Sequence, residues 1–195
     1  MPDSTAAATA DSTAYLLVDG ENIDATLGMS VLGRRPLSEE RPRWDRILHF
    51  TQLMWSEPAR GLFFLNASSG QMPMSFIQAL LAMSYQPIPL AGEGSEKVVD
   101  IGIQRTMDAI LAQGSGDVVL ASHDGDYIPQ VAALLDAGRR VSVVCFREFL
   151  NAQLAELTGR GLQVFDLEDD LRAFNAVLPR VRIIPLAAFD PTRYL

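Results

Sequence analysis

Asp19 closes the apolar run Tyr15-Leu16-Leu17-Val18, and Asp124 follows closely on the run Asp117-Val118-Val119-Leu120-Ala121. A carboxylate at the end of a buried strand is partly withdrawn from water. Two such groups brought close repel, and their pKa values split unless a proton or a cation intervenes. A divalent ion resolves that conflict, and Mg²⁺ in particular favours oxygen ligands, keeps several waters and takes one or two carboxylates directly. Asp126, in Ser122-His123-Asp124-Gly125-Asp126, adds a carboxylate to the second of these turns. Asp100 adds another. It lies in Lys97-Val98-Val99-Asp100-Ile101-Gly102-Ile103, between apolar residues that should pack, where an isolated charge is costly to bury. The first turn of a helix offsets part of that cost through its macrodipole and free N–H groups.

Three polar neighbours suit such a centre. Asn22 can both donate and accept, Ser122 can donate to a carboxylate, and Lys97, the only lysine of the chain, can pair with a carboxylate or a phosphate. Each residue also has a plainer use. Asp19 and Asn22 could cap a turn, Asp126 could cap a helix as readily as bind metal, and Ser122 could simply finish its strand. Asp100 could face solvent on the outer stripe of its helix, and Lys97 could be an ordinary loop lysine. His123 has no second histidine nearby, which argues against zinc. His49 reads as structural, Met72, Met74 and Met83 as core filler, and Cys145 as a buried strand thiol.

The elements that must position these groups alternate. Strands are expected at Tyr15–Val18, Gly61–Leu65, Gln86–Leu90, Asp117–Ala121, Val141–Phe146 and Leu162–Phe165, with the two prolines of Gln86–Leu90 marking an edge. Helices are expected at Trp44–Trp55, Met74–Ser84, Val98–Gln113, Tyr127–Ala137 and Phe149–Thr158, and Gly28–Pro42 is expected as an exposed, arginine-bearing loop. Strand–helix alternation implies right-handed crossovers and an α/β fold: a three-layer, doubly wound, mostly parallel sheet. Ligands in such sheets bind beyond the carboxyl ends of the strands. Residues 1–13 read as a disordered lead-in, 14–175 as one domain, and 176–195 as an extension in which Val181–Ile184 offers an added edge strand.

Composition narrows the class. A 195-residue chain that is 48% hydrophobic supports one sizeable core. It has no apolar run long enough to span a membrane, and its first dozen residues carry no lysine or arginine, so a cytoplasmic protein is expected. One cysteine excludes an internal disulfide framework. A net charge of −8 argues against broad nonspecific binding to nucleic acid, although a carboxylate-built metal site is itself acidic. Arg34, Arg35, Arg41, Arg43 and Arg46 cluster, diluted by Glu39, Glu40 and Asp45. They read either as a solvated mixed-charge loop or as a phosphate-contacting patch.

Three stretches together resemble the NYN domains of the PIN-like nuclease superfamily, of the bacterial LabA-like type. They are Leu17-Val18-Asp19-Gly20-Glu21-Asn22-Ile23, Lys97-Val98-Val99-Asp100-Ile101-Gly102-Ile103 and Leu120-Ala121-Ser122-His123-Asp124-Gly125-Asp126-Tyr127. The resemblance runs from about Ala14 to Phe165. It implies a PIN-like fold and hydrolysis of RNA phosphodiesters, with Asp19, Asp100, Asp124 and Asp126 as the catalytic acidic set around Mg²⁺ or Mn²⁺. Asn22 and Ser122 would then orient ligands or the scissile phosphate, and Lys97 would stand at the edge of the site. RNA is the implied partner, no membrane is, and a homodimer stays open. His123 departs from the family pattern, which commonly has glycine there, and Gly28–Pro42 is an elaboration. Two other readings stand beside this one. A non-catalytic RNA-binding or regulatory scaffold would keep the acidic pocket. A phosphatase of the haloacid dehalogenase type would want an aspartate where Glu21 stands.

Overall fold

The computed structural model describes residues 13–180, 184 and 186–195. Six strands, β1 (Ala14–Asp19), β2 (Ala59–Asn66), β3 (Tyr85–Leu90), β4 (Asp117–Ala121), β5 (Val141–Cys145) and β6 (Gln163–Asp166), form one sheet in the order β3-β2-β1-β4-β5-β6. Every neighbouring pair is parallel. The chain winds outward from β1 to β3, then returns past β1 to wind the other way. The sheet therefore has its topological switch between β1 and β4, where the connections leave in opposite directions. The register sets Val18 beside Ala121, so Asp19 emerges next to Ser122.

Both faces of the sheet are covered, as the unbroken apolar strands require. Leu16 and Val18 of β1 enter one core with Ile23 and Leu27, Trp44, Ile47 and Leu48, and Leu80. These come from α1 (Gly20–Thr26) and the turn that continues it, α2 (Trp44–Trp55) and α3 (Met74–Ala82). Leu17 points to the other core, where α4 (Val98–Gln113) presents Val99, Ile103, Met107 and Ile110 at helical spacing. α5 (Ile128–Asp136) and the short α6 (Ala152–Glu156) add Val131, Leu134 and Leu154 there. α1 starts directly on Asp19 because Gly20 lacks a Cβ, which would lie 2.5 Å from the Phe63 ring. β3 lies at the sheet edge with Pro87 and Pro89 in it, as expected.

Several elements differ from expectation. Gly28–Pro42 is only partly a loop: Leu27–Leu32 continues α1 as a π-helical turn, and Ser38–Glu40 forms a 3₁₀ turn. Ile23, Leu27 and Val31, four apart, form one buried stripe that carries the helix onward until Gly33, at φ 66°, ends it. The helix expected over Phe149–Thr158 is shortened because Asn151 caps α6, accepting the N–H groups of Gln153 and Leu154, with 3₁₀ turns on either side. Met74, expected as core, is 56% exposed, since α3 buries Ile77 and Leu80 instead. Cys145 is a buried strand thiol, as expected, and its burial pushes the pKa up to about 12. Residues 1–12 and three residues of the anticipated extra strand, Val181, Arg182 and Ile183, lie outside the described residues. No described helix is long and apolar enough to cross a membrane.

The chain after β6 belongs to the core. Leu167, Leu171, Ala173 and Leu178 are buried against Val144 and Phe146, and the Leu167 N–H donates to the Cys145 carbonyl at 2.9 Å. Replacing Leu167→Ala should therefore lower the free energy of unfolding by about 2–5 kcal/mol. Urea denaturation would measure the change as a lower midpoint at an unchanged slope.

Candidate metal centre

The sheet's carboxyl edge collects the groups that the sequence singled out. Asp124 ends the β4 turn and uses Oδ1 to accept the Asp126 N–H at 3.0 Å. Gly125 between them is a close-approach glycine, because a Cβ there would lie 2.6 Å from the Asn151 amide. Asp100 occupies the first turn of α4, its side chain 18% exposed. One carboxylate oxygen each from Asp100, Asp124 and Asp126 lies within 4.8 Å of the others. Lys97 reaches into this trio, its Nζ 2.6 Å from Asp126 Oδ2 and 3.3 Å from Asp100 Oδ2. Hydrogen bonds to the two carboxylates raise the lysine's pKa further above its ordinary value.

Asp19 is not one of the three converging carboxylates. It stands behind them, 2% exposed, and holds the turns in place. Its Oδ1 accepts the Asn22 N–H at 3.1 Å and so caps α1, while Oδ2 accepts Ser122 Oγ at 3.2 Å and the Tyr127 hydroxyl at 2.9 Å. Burial outweighs these donors and pushes the Asp19 pKa up to about 6. The Tyr127 hydroxyl also lies 3.5 Å from Asp100 Oδ1, joining the buried carboxylate to the trio. Burial, followed by the charge of Asp19, drives the Tyr127 pKa far above the usual phenol range, so the hydroxyl stays protonated and donates.

Asn22 and Ser122 are tied into the scaffold. Ser122 Oγ accepts the Asp124 N–H at 3.2 Å while donating to Asp19, so one hydroxyl links two aspartates. Asn22 Oδ1 accepts the backbone N–H of His123 at 2.8 Å and lies 2.9 Å from the ring Nδ1. The Phe146 N–H donates to His123 Nε2 at 2.8 Å. That nitrogen must then carry a lone pair, which assigns the proton to Nδ1 and makes Asn22 its acceptor. Burial holds the His123 pKa down at about 4. The histidine is thus packed and satisfied, whereas His49 stands exposed on α2.

Tyr127 enters the sequence reading only as the aromatic that closes the third stretch, with no role, and Gln104 does not enter it. Gln104 Nε2 donates to the Asp126 carbonyl at 2.9 Å. Its spacing from Lys97 and Asp100, seven and four residues, was the available signal, since all three share one helix face. The arginine cluster follows its mixed-charge reading: Arg34 pairs with Glu40, Arg41 with Asp24 and Arg43 with Asp45, and Arg46 donates to the carbonyls of Arg172 and Phe174.

A doubly wound parallel sheet with an acidic cluster beyond its strand ends is the arrangement of a PIN-like α/β domain, and the family match assigns this one. The chain belongs to the NYN domain family, which residues 13–157 match. That family lies within the PIN-like nuclease superfamily. β6 and the buried segment behind it fall beyond the matched residues. No curated protein matches the chain significantly.

His123 and Asp19 pull the acid stability in opposite directions. The folded state resists protonating His123, so acidification from about 6.5 to about 4 favours the unfolded chain. Asp19 binds its proton more readily when folded, so it adds stability as pH falls from about 6 through 3.8. In metal-free protein, Asp19→Asn should remove the second effect and leave the first. Its melting temperature, relative to wild type, should fall more steeply between pH 6.5 and 4. Parallel profiles for the two proteins would contradict the assignment.

Proposed function

We propose that the protein is a metal-dependent endoribonuclease that hydrolyses RNA phosphodiester bonds at this acidic cluster. The observation that carries the reading is the convergence of Asp100, Asp124 and Asp126 at the strand ends of an NYN domain. The donor set is all carboxylate oxygen, which suits hard divalent ions, Mg²⁺ or Mn²⁺, rather than zinc or copper. One oxygen from each of the three carboxylates lies within 4.8 Å of the others, so Asp100, Asp124 and Asp126 are the residues that would hold such an ion. When bound, such an ion would help ionise a water and would neutralise the phosphate and the leaving oxygen.

The chain's own residues have distinct parts in this scheme. Asp100, Asp124 and Asp126 are the ligands. Asp19 is the fourth acidic residue, and its bonds to Asn22, Ser122 and Tyr127 suit it to holding the others in position. Ser122 fixes the turn that carries Asp124, and Asn22 fixes it through His123. Lys97 is 64% exposed at its side chain, so it can leave the carboxylates when they take a cation and turn its ammonium to the scissile phosphate.

The Lys97 ion pairs also favour a second reading, in which the lysine serves as a permanent internal counter-ion and the domain binds RNA without cutting it. A phosphatase reading has no comparable support. Glu21, at the position where that chemistry wants an aspartate, accepts the Asn66 N–H and is not one of the converging carboxylates.

Labelled single-stranded and structured RNAs, incubated with Mg²⁺ or Mn²⁺, separate the readings. Cleavage should stop on adding EDTA and fall about a hundredfold or more in Asp124→Asn. RNA binding that survives both changes, with no cleavage by wild type under any condition, would establish the binding module instead.

Lys97→Met gives an independent sign. Removing the competing ammonium should tighten Mn²⁺ binding, read by calorimetry, while reducing cleavage at saturating metal. Unchanged metal affinity would show that the lysine does not compete for the carboxylates.

A further inference from the structure

We propose that the groove between β3 and the first turns of α4 seats a nucleotide flanking the bond to be cut. Its base would lie on the apolar wall and its phosphate on Arg105. The inference rests on the nuclease reading for its substrate but on different residues for its evidence. The cavity has a volume of about 350 Å³ and is lined by Ile88, Leu90, Val98 and Ile101, with Phe64 beneath. Gly102 lets Leu90 lie directly against the backbone of α4, because a Cβ there would be 2.3 Å from Leu90 Cδ1. An aliphatic wall of this kind can take the face of a planar base.

Charge sets the direction in which the nucleotide lies. Glu96 and Arg105 both line the groove. Glu96 Oε2 accepts the Glu93 N–H at 2.8 Å, and its carboxylate repels phosphate. Arg105 is exposed and makes no ion pair or hydrogen bond among the described residues. Most other arginines near the carboxyl edge are committed, Arg34, Arg41 and Arg43 to nearby acids and Arg147 to Asp170. In a protein of net charge −8, an uncommitted guanidinium beside an apolar groove is a specific place for a phosphate.

The groove and the acidic centre draw on neighbouring stripes of the same helix. Lys97, Asp100 and Gln104 occupy one stripe of α4, and Val98, Ile101 and Arg105 occupy the next at the same three- and four-residue spacing. From Asp100 to Arg105 the helix advances about 7.5 Å. A strand whose phosphodiester lay at the trio would therefore pass over α4 into the groove with its neighbouring nucleotide.

The test is binding of a labelled single-stranded RNA oligonucleotide to full-length Asp124→Asn protein, followed by fluorescence anisotropy. Adding Arg105→Ala should weaken binding about threefold to tenfold and lower the slope of log affinity against log salt by about 0.7. Arg60→Ala is the control, because Arg60 is an exposed arginine at the amino end of β2, the opposite end of the sheet. It should change neither quantity. Oligonucleotides with one abasic residue stepped along the chain should show a single position of weakened binding beside the bond cleaved by wild type. Equal effects of Arg105→Ala and Arg60→Ala, no abasic penalty at any position, or no RNA binding at all would overturn the proposal. Arg105-dependent binding without cleavage by wild type would sink the nuclease reading and leave the groove. Cleavage by wild type that Arg105→Ala leaves untouched, with unchanged binding, would do the reverse.

Discussion

The carboxylate of Asp19 is almost wholly out of water, and its two oxygens join three separate pieces of chain. Oδ1 takes the first turn of α1, and Oδ2 takes Ser122 after β4 and Tyr127 before α5. Without those donors a buried charge of this kind would cost several kcal/mol. With them it becomes the fixed point around which the turns assemble. Tyr127 carries the constraint on to Asp100 in α4, and Ser122 carries it to Asp124. The three outer carboxylates can converge because the inner one has already settled where their backbones lie. Their mutual repulsion is met by Lys97.

A second brace reaches the same turns from the far side of the sheet. The His123 ring lies parallel to Phe146, with centroids 5.7 Å apart, and Phe146 is stacked in turn on Phe174 at 5.7 Å. Arg180 covers the same Phe146 ring at 5.3 Å and pairs with Glu148 and Glu168. The segment after β6, beyond the residues that match the family, thereby buttresses the loop that carries Asp124. His123 supplies a ring for that stack and two nitrogens for Asn22 and Phe146.

The acidic character of the chain and a role in handling RNA are compatible because of where its cations are spent. Around α1 they neutralise nearby acids, and at Arg140 they neutralise Asp117 and Glu57 at the opposite end of the sheet. Among the described residues, Arg105 on the flank of the cluster is one of the cations without an acidic partner, and Lys97 at the cluster is shared between two carboxylates. Such a surface holds a strand at a few points rather than along its length, which accords with the weak nonspecific affinity expected of net charge −8.

The sequence by itself determined the parallel sheet, its order of elements and the residues of the acidic cluster. Unbroken apolar strands alternating with helical stripes admit few other architectures, and ligand-binding groups in such sheets stand beyond the carboxyl ends of the strands. Val98–Gln113 and Asp117–Ala121 fall on the expected residues for that reason. Local pattern could not show that Gly28–Pro42 carries on a buried helical stripe, because whether Val31 is covered depends on chain folded over it later. Nor could it separate Asp19 from the other three aspartates. All four have the same chemistry and similar neighbours in sequence. Only the register of β1 against β4, and a tyrosine hydroxyl brought in from 108 residues away, placed one of them behind and three in front.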